Sequence, residues 1–533
     1  MTTRRKFLKQ MGAAGSALLL PYSSTGLFGR TRAQYFAVHA FIENNPGAVF
    51  IMKTAVDSKT NASAIKQAGL TFAGSVFVGT DDIETGIPLT YTFAMKPNLT
   101  AWRWNNGTIP FEDVMGIITD ASFVEGIIEH MKTMGISAGH IHLREVNGTE
   151  NMTEGGYGAM AARTGADVQV IDESITTISP EKIQWIDVPD GFFFTRIPYL
   201  SPVNTANSWL LNIAKFKAHS MGLTLCAKNL QGSIAQYYQK HCDNYGDIRP
   251  QMDTNHIREN TFTLIKANYD RHLADGVPRW KTPGLGSGGG LGMETWASRC
   301  TDNNSVTRPG LHVIEGIYGR DGNGFCEGPH DGYGKDFMTN IIIFGKNAYH
   351  VDIIGHYLGA HEPGNFGLFH LARERGLSSY LNPVDIPLYE WKSDGSAVRS
   401  DLSDFDRTPL LTRYLKQSGE DEYHLINEPY DYTMTAVASQ NTIQKPESFI
   451  LNQNYPNPFN PATTIQFNLN AGGNVRIEVY NSLGERIAVL ADGYFSKGAH
   501  MVNWYAERVP SGTYFYKMRC NAFSETRRMT ILR

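Results

Sequence analysis

Between residues 35 and 430, strand-like runs repeatedly lead into periodic apolar segments: PLTYTFAM precedes FVEGIIEHMKTMG, AGHIHLREV precedes GYGAMAARTG, and NIIIFG precedes HVDIIGHYLG. That order predicts an α/β domain over residues 35–430, with a mainly parallel sheet flanked by helices. Ligands of such sheets bind beyond the carboxyl ends of the strands. Near residue 447 the pattern changes to short alternating runs, TIQFNL, NVRIEVYN, ERIAVLAD, HMVNWYA and GTYFYKM, separated by the turn signals AGG, NSLGE and PSG. Apolar residues at every second position predict half-buried antiparallel strands, and residues 447–533 are read as a small immunoglobulin-like β-sandwich. The polar, aperiodic stretch 431–446 is read as the linker. No internal repeat is evident.

At 533 residues the chain exceeds the usual size of a single core, in keeping with this division. Its first residues place the basic head TRRKFLK before the short apolar stretch MGAAGSALLL and a tail of small and polar residues. This is the layout of a signal peptide, and the apolar stretch is too short for a spanning helix, which needs roughly 20 residues. Arg4 and Arg5 followed by Phe7 and Leu8 resemble the twin-arginine export signal, with cleavage expected after Ala33. That resemblance implies the twin-arginine translocase as a partner and export in the folded state. The 48 basic against 52 acidic residues leave a net charge of -4 and no basic field to hold a nucleic acid. None of the five cysteines, at 226, 242, 300, 326 and 520, forms a CxxC pair, so local spacing supplies neither a zinc ribbon nor an iron–sulfur cluster.

Charge enters the picture most sharply at KFKAHSMGLTLCAKNLQG, residues 215–232, where Lys215, Lys217, His219 and Lys228 interrupt an apolar segment that holds no acid. Cations this close repel and lose hydration on burial, so an outside anion is the expected compensator. As a strand, IAKFKAH sets Lys215, Lys217 and His219 on one face, and as a helix it still aligns Lys215 with His219 at i, i+4, so both readings keep a positive pair together. The apolar run LTLC then carries Lys228 and Asn229 to the end of a candidate buried strand. With Lys96 and Asn98 of AMKPNL, the set Lys96, Asn98, Lys217, His219, Lys228 and Asn229 is the candidate ligand-binding group. Lysines there would supply point charges to phosphate or carboxylate oxygens and amides would orient them. Asp352 and His219 are the candidate catalytic residues, Asp352 as counter-charge or base.

Other constellations point less directly to chemistry. His350, Asp352 and His356 in HVDIIGHYLGAHE put Asp352 and His356 at i, i+4, a workable metal-ligand spacing, yet an Asp in a first helical turn is also what the helix dipole favours. His140, His142 and Glu145 alternate on a predicted strand and are half of a metal site at most. The GxGxxG at Gly284, Gly286 and Gly289 follows no strand and is read as a loop or lid. In DGNGFCEGPHDG, turn formation accounts for Asp321, Glu327, His330 and Asp331. Neither a G-x-S-x-G elbow nor an H-E-x-x-H helix is present.

Two further resemblances rest on longer motifs. AMKPNL, KFKAHSMGLTLCAKNLQG, IEGIYGRDGNGFCEG and GKNAYHVDIIGHYLG, in this order over residues 90–380, resemble the domain of unknown function 362 family. That resemblance implies an α/β domain of unassigned chemistry, in some members joined to ferredoxin-like iron–sulfur modules. Here Glu315 stands where the family tends to show Asp, and the cysteine-rich module is absent. NYPNPFNPATTI, VYNSLGE and VPSGTYFYKM resemble the C-terminal sorting domain of the type IX secretion system, which implies that machinery as a partner and delivery to the cell surface. The expectation is therefore an exported protein of undetermined cofactor that binds, or binds and transforms, a small anionic ligand. The alternatives are a non-catalytic surface or adhesion protein and a metal-dependent oxidoreductase.

Overall fold

The fold is described from a computed structural model. It covers residues 34–83, 86–100, 109–219, 221–241, 250, 252, 254–278, 290–322, 327–328, 332–411, 428–433 and, with short breaks, 450–532. The predicted signal segment, most of the predicted linker, Cys242, Cys326 and the glycines at 284, 286 and 289 lie outside the described residues. The chain divides into two compact units between Tyr432 and Thr433.

The first unit is built on a ten-stranded sheet. Its strands are β1 (Val49–Lys53), β2 (Thr92–Pro97), β3 (Ile141–Glu145), β4 (Asp167–Val170) and β5 (Ser208–His219). They continue with β6 (Gly222–Thr224), β7 (Leu311–Arg320), β8 (Asp336–Gly345), β9 (Leu388–Trp391) and β10 (Ala397–Arg399). The spatial order is β10-β9-β1-β8-β7-β5-β2-β3-β4, with β6 folded back on β5. The sheet is mixed. From β7 through β5, β2 and β3 to β4 every pair is parallel, whereas β8 runs antiparallel to both β7 and β1. The reason is the connection: residues 321–335, between β7 and β8, show no helix among those described, and a parallel return requires a crossover, usually helical.

Helices cover both faces. On one lie α1 (Ala62–Val76) and α2 (Ala121–Thr133), which bury Ile65, Phe72, Phe123 and Ile127 against Phe50, Met95, Leu211, Val313 and Phe344. These helices can approach closely because glycines face each other: a Cβ on Gly69 would sit 2.2 Å from the carbonyl oxygen of Phe123, and one on Gly126 2.2 Å from that of Lys66. After α3 (Tyr157–Thr164) and the single turn α4 (Cys226–Asn229) come α5 (Thr261–Ala274), α6 (Gly290–Val306), α7 (Ala348–Leu358) and α8 (Gly367–Glu374). Residues of α6, α7 and α8, among them Trp296, Val351, Ile354 and Phe369, pack on the opposite face against Ile51, Ala214, Phe216, Ile314 and Ile343. Neighbouring residues such as Phe50 and Ile51 enter different clusters because successive side chains of a strand point to opposite faces. Each strand–helix pair named from the sequence is present: β2 leads to α2, β3 to α3 and β8 to α7.

The second unit is a β-sandwich of a three-stranded and a four-stranded antiparallel sheet. Ile465, Phe467, Val475, Ile477, Val479, Tyr516, Met518 and Met529 fill the space between them. The edge of the last strand, Phe523–Ile531, is met by the Asn-Pro motif: Phe459 N–H donates to the Thr530 carbonyl, Thr530 N–H to Asn457 Oδ1, and Leu532 N–H to the Phe459 carbonyl. A strand edge covered in this way is protected from pairing with other chains. No helix among the described residues is long and apolar enough to cross a membrane.

Candidate functional site

Strand order fixes where the first unit can receive a ligand. From β2 the chain proceeds outward to β3 and β4, then returns to place β5 on the other side of β2 and continues to β7. The order therefore reverses between β2 and β5, and the carboxyl ends of those strands border the crevice in which open α/β sheets bind ligands. Lys96 and Asn98 stand at the end of β2, and Lys217 and His219 at the end of β5. Lys228 and Asn229 arrive on α4. The sequence suggested a strand end for these two, but β6 stops at Thr224 and Cys226–Asn229 form a helical turn, because the Asp352 carboxylate accepts the backbone N–H groups of Cys226 at 2.7 Å and Ala227 at 2.8 Å. An acid on the first free N–H groups of a turn is a strong local helix start.

All of these lysines are buried, but their surroundings differ. Lys96 Nζ lies 2.7 Å from Glu145 Oε2, donates to the Pro97 carbonyl at 2.5 Å, and reaches Asn229 Oδ1 at 3.3 Å. Lys215 Nζ is 2.6 Å from Glu315 Oε2, with both side chains at 0% exposure, and lies 3.3 Å from the centre of the Tyr318 ring. Both cations are thus neutralised from within the fold. Lys217, also 0% exposed, donates to the Ile117 carbonyl at 2.6 Å and reaches Thr100 Oγ1 at 3.5 Å, with no carboxylate bonded to it among the described residues. Lys228, 7% exposed, makes no hydrogen bond or ion pair among the described residues. The Lys217 ammonium is held well below the usual lysine range by burial first, then by the charges of Lys228 and Arg320. His219 accepts the Met221 N–H at 3.1 Å, and burial with Lys228 and Lys217 keeps its imidazole neutral well below the ordinary range.

The amides are occupied in positioning. Asn229 Oδ1 accepts from Asn98 Nδ2 at 3.0 Å as well as from Lys96, and Asn229 Nδ2 donates to the Lys96 carbonyl at 3.0 Å and to Asn212 Oδ1 at 2.8 Å. Asn98 N–H donates to Thr119 Oγ1 at 2.9 Å. This ladder ties β2, β5 and α4 into one wall behind the two uncompensated lysines. Glu145 and Glu315, the fold's own counter-charges, come from β3 and β7, and nothing in their local sequence assigns them to Lys96 and Lys215.

Asp352 spends both oxygens on the turn that carries Lys228, and burial pushes its carboxyl up to about 7. His350 Nδ1 pairs with the Gly47 carbonyl at 3.0 Å while Nε2 accepts the Ser379 N–H at 3.2 Å, so both ring nitrogens are engaged. The His356 ring lies against Phe366 and Phe369, and burial keeps it well below the ordinary histidine range. Among the described residues no group of three His, Cys, Asp or Glu side chains is placed to hold a metal ion. His140 belongs to a turn before β3 rather than to the strand, and His142 pairs instead with Asp167 at 2.8 Å. Of the Asn-Asp-Gly loop, Asp321 is buried and accepts the Lys335 N–H at 2.6 Å, while His330 and Asp331 lie outside the described residues.

Comparison with known proteins agrees with this partition. Residues 94–356, which contain every residue of the crevice, match the family model described as domain of unknown function (DUF362). Residues 453–532 match the model described as secretion system C-terminal sorting domain. No curated protein matches the chain. A solved structure of PorZ, described as an essential bacterial surface component of the type-IX secretion system of Porphyromonas gingivalis, is 19% identical over 16% of this chain and 11% of its own, with a TM-score of 0.13. The match thus spans about a tenth of that protein's length. The chain is an exported protein that carries a domain of unknown function 362 over residues 94–356 and, over residues 453–532, a sorting domain that delivers it to the cell surface.

Proposed function

We propose that the first unit binds a small anion bearing phosphate or carboxylate oxygens in the crevice between β2 and β5, held by Lys217 and Lys228 with His219 beside them. The observation that carries this reading is the contrast among the lysines. Lys96 and Lys215 have buried glutamates, whereas Lys217 and Lys228 have no acidic partner among the described residues. A buried ammonium without a counter-ion costs several kcal/mol or gives up its proton, and an anion lodged between these two offsets that cost and favours the charged form. The burial of both groups favours a ligand pocket over a passive adhesion surface, whose charges would be solvated.

Inorganic phosphate and acetate are the simplest probes. A ligand at a hundred times its Kd stabilises the folded state by about 2.7 kcal/mol. One of the two anions is therefore expected to raise the melting temperature of the wild-type protein, and Lys217→Ala and Lys228→Ala are each expected to abolish the rise while remaining folded. An undiminished rise in both variants would remove the pocket.

For the route outward, we infer that the twin-arginine head in residues 1–33 makes the first crossing and the type IX machinery the second. Arg4→Lys with Arg5→Lys is expected to hold the protein in the cytoplasm, and deletion of residues 453–532 to hold it in the periplasm. Cell fractionation distinguishes these outcomes from surface display in both variants, which would contradict the route.

A further inference from the structure

The inventory of buried lysines leads one step beyond binding, and the step rests on the anion-pocket reading above. An amine attacks a carbonyl only when it is unprotonated, and desolvation together with a neighbouring cation is how a protein obtains such an amine at neutral pH. Lys96 and Lys215 are clamped to carboxylates at 2.7 and 2.6 Å, so their nitrogens are already engaged. Lys217 is fully buried, and among the described residues its nitrogen is anchored on the Ile117 carbonyl and, more loosely, on the Thr100 hydroxyl. Among the described residues the charged groups that bear on it most are Lys228 on α4, Arg320 on β7, Lys215 on its own strand and the acid Glu145 on β3. Glu145 is already engaged by Lys96 and by the N–H groups of Leu99 and Val146. Lys228, without a partner among the described residues, remains to hold an anionic group.

We propose that Lys217 is a nucleophile that forms an imine with a 2-oxo carboxylate, the carboxylate resting on Lys228. The Lys217 nitrogen adds to the carbonyl carbon, forming the C–N bond. The carbonyl oxygen then leaves as water, taking up both protons that the neutral amine gives up. No electrons are exchanged, and no oxidant, reductant or further reactant is needed. Burial and the flanking cations hold Lys217 well below the usual lysine range and so raise the share of unprotonated amine.

The test uses the full-length protein with pyruvate as the probe and sodium borohydride, which reduces an imine to a stable secondary amine. The expected result at pH 7 is one carboxyethyl adduct that peptide mapping places on Lys217. Lys217→Arg keeps a cation but cannot condense, and its adduct is expected to vanish. Lys228→Ala removes the carboxylate partner and is expected to cut trapping at least tenfold. Lactate, which has the carboxylate but no carbonyl, separates the two ideas. If lactate or phosphate stabilises the protein but no adduct forms on Lys217, the imine is overturned and the pocket stands. If neither anion stabilises it and no adduct forms, both fall. Adducts spread over surface lysines alone also overturn the proposal, because solvated lysines are trapped without any site.

Discussion

Lys215→Met is expected to destabilise the protein by about 3–5 kcal/mol, whereas Lys217→Met, two residues along the same strand, is expected to stabilise the ligand-free protein by about 1–2 kcal/mol. The substitution is identical and both positions are 0% exposed, so burial area does not separate them. What separates them is the counter-charge. Without Lys215, the Glu315 carboxylate is stranded at 0% exposure with only the backbone N–H groups of Ile317 at 3.1 Å and Asp120 at 3.3 Å to serve it. Burial already raises the Glu315 carboxyl above its ordinary value, and loss of Lys215 removes the largest opposing influence. A folded pKa above the unfolded one means that the folded state binds more protons, so this defect deepens as pH rises from the ordinary carboxylate range and is relieved in acid.

At Lys217 the sign is reversed. Its folded pKa is depressed, so the group detracts from stability at pH values below the ordinary lysine range. Methionine removes that penalty at the expense of one hydrogen bond to the Ile117 carbonyl, worth about 1 kcal/mol. The gain should fade as pH climbs toward the ordinary lysine range. Urea midpoints at several pH values measure both effects. Equal destabilisation by the two substitutions would mean that Lys217 has a counter-charge of its own, and the anion pocket would lose its basis.

Why the lysines read so differently in the fold than along the chain shows where local pattern stops informing. Periodicity locates β2, β3, β8, α2, α3 and α7 because each buries an apolar face, and burial leaves a local trace. KFKAH shows three cations on one face of a strand, and β5 delivers Lys215 and Lys217 as that alternation requires. Their fates are set by β3 and β7, which lie on either side of β2 and β5 and reach them only through tertiary structure. Glu145 was visible as the last residue of a strand-like run, yet its pairing with Lys96 depends on the parallel register of β2 and β3, which no local motif encodes. The α4 turn is a similar case. LTLCAKN is as compatible with a strand as with a helix, and the decision is made by Asp352, more than a hundred residues later in the chain. The antiparallel β8 was obscured for a related reason, since an apolar run followed by a helix looks the same in either strand direction.

The stability difference between Asp352→Asn and the wild type is expected to shift toward the variant by up to about 4 kcal/mol between pH 4 and pH 7, whatever its offset at low pH. Burial raises the Asp352 carboxyl from 3.8 to about 7, against the pull of the two N–H groups it accepts. Between those values the unfolded chain releases its proton and the folded chain keeps it, so the wild type loses stability through this window. Asparagine does not titrate, and subtracting its curve from that of the wild type isolates the one group. Curves that stay parallel would show that Asp352 is already ionised at pH 4 and would rule it out as a base working near neutrality. The same variant also bears on the crevice. An amide offers one acceptor where the carboxylate offered two, so the Cys226 or the Ala227 N–H loses its partner and the first turn of α4 slackens. Lys228 sits on that turn, which the carboxylate holds in place. A phosphate-induced rise in melting temperature that shrinks in Asp352→Asn, though this residue touches no ligand, is therefore the expected signature of a residue that positions the anion site.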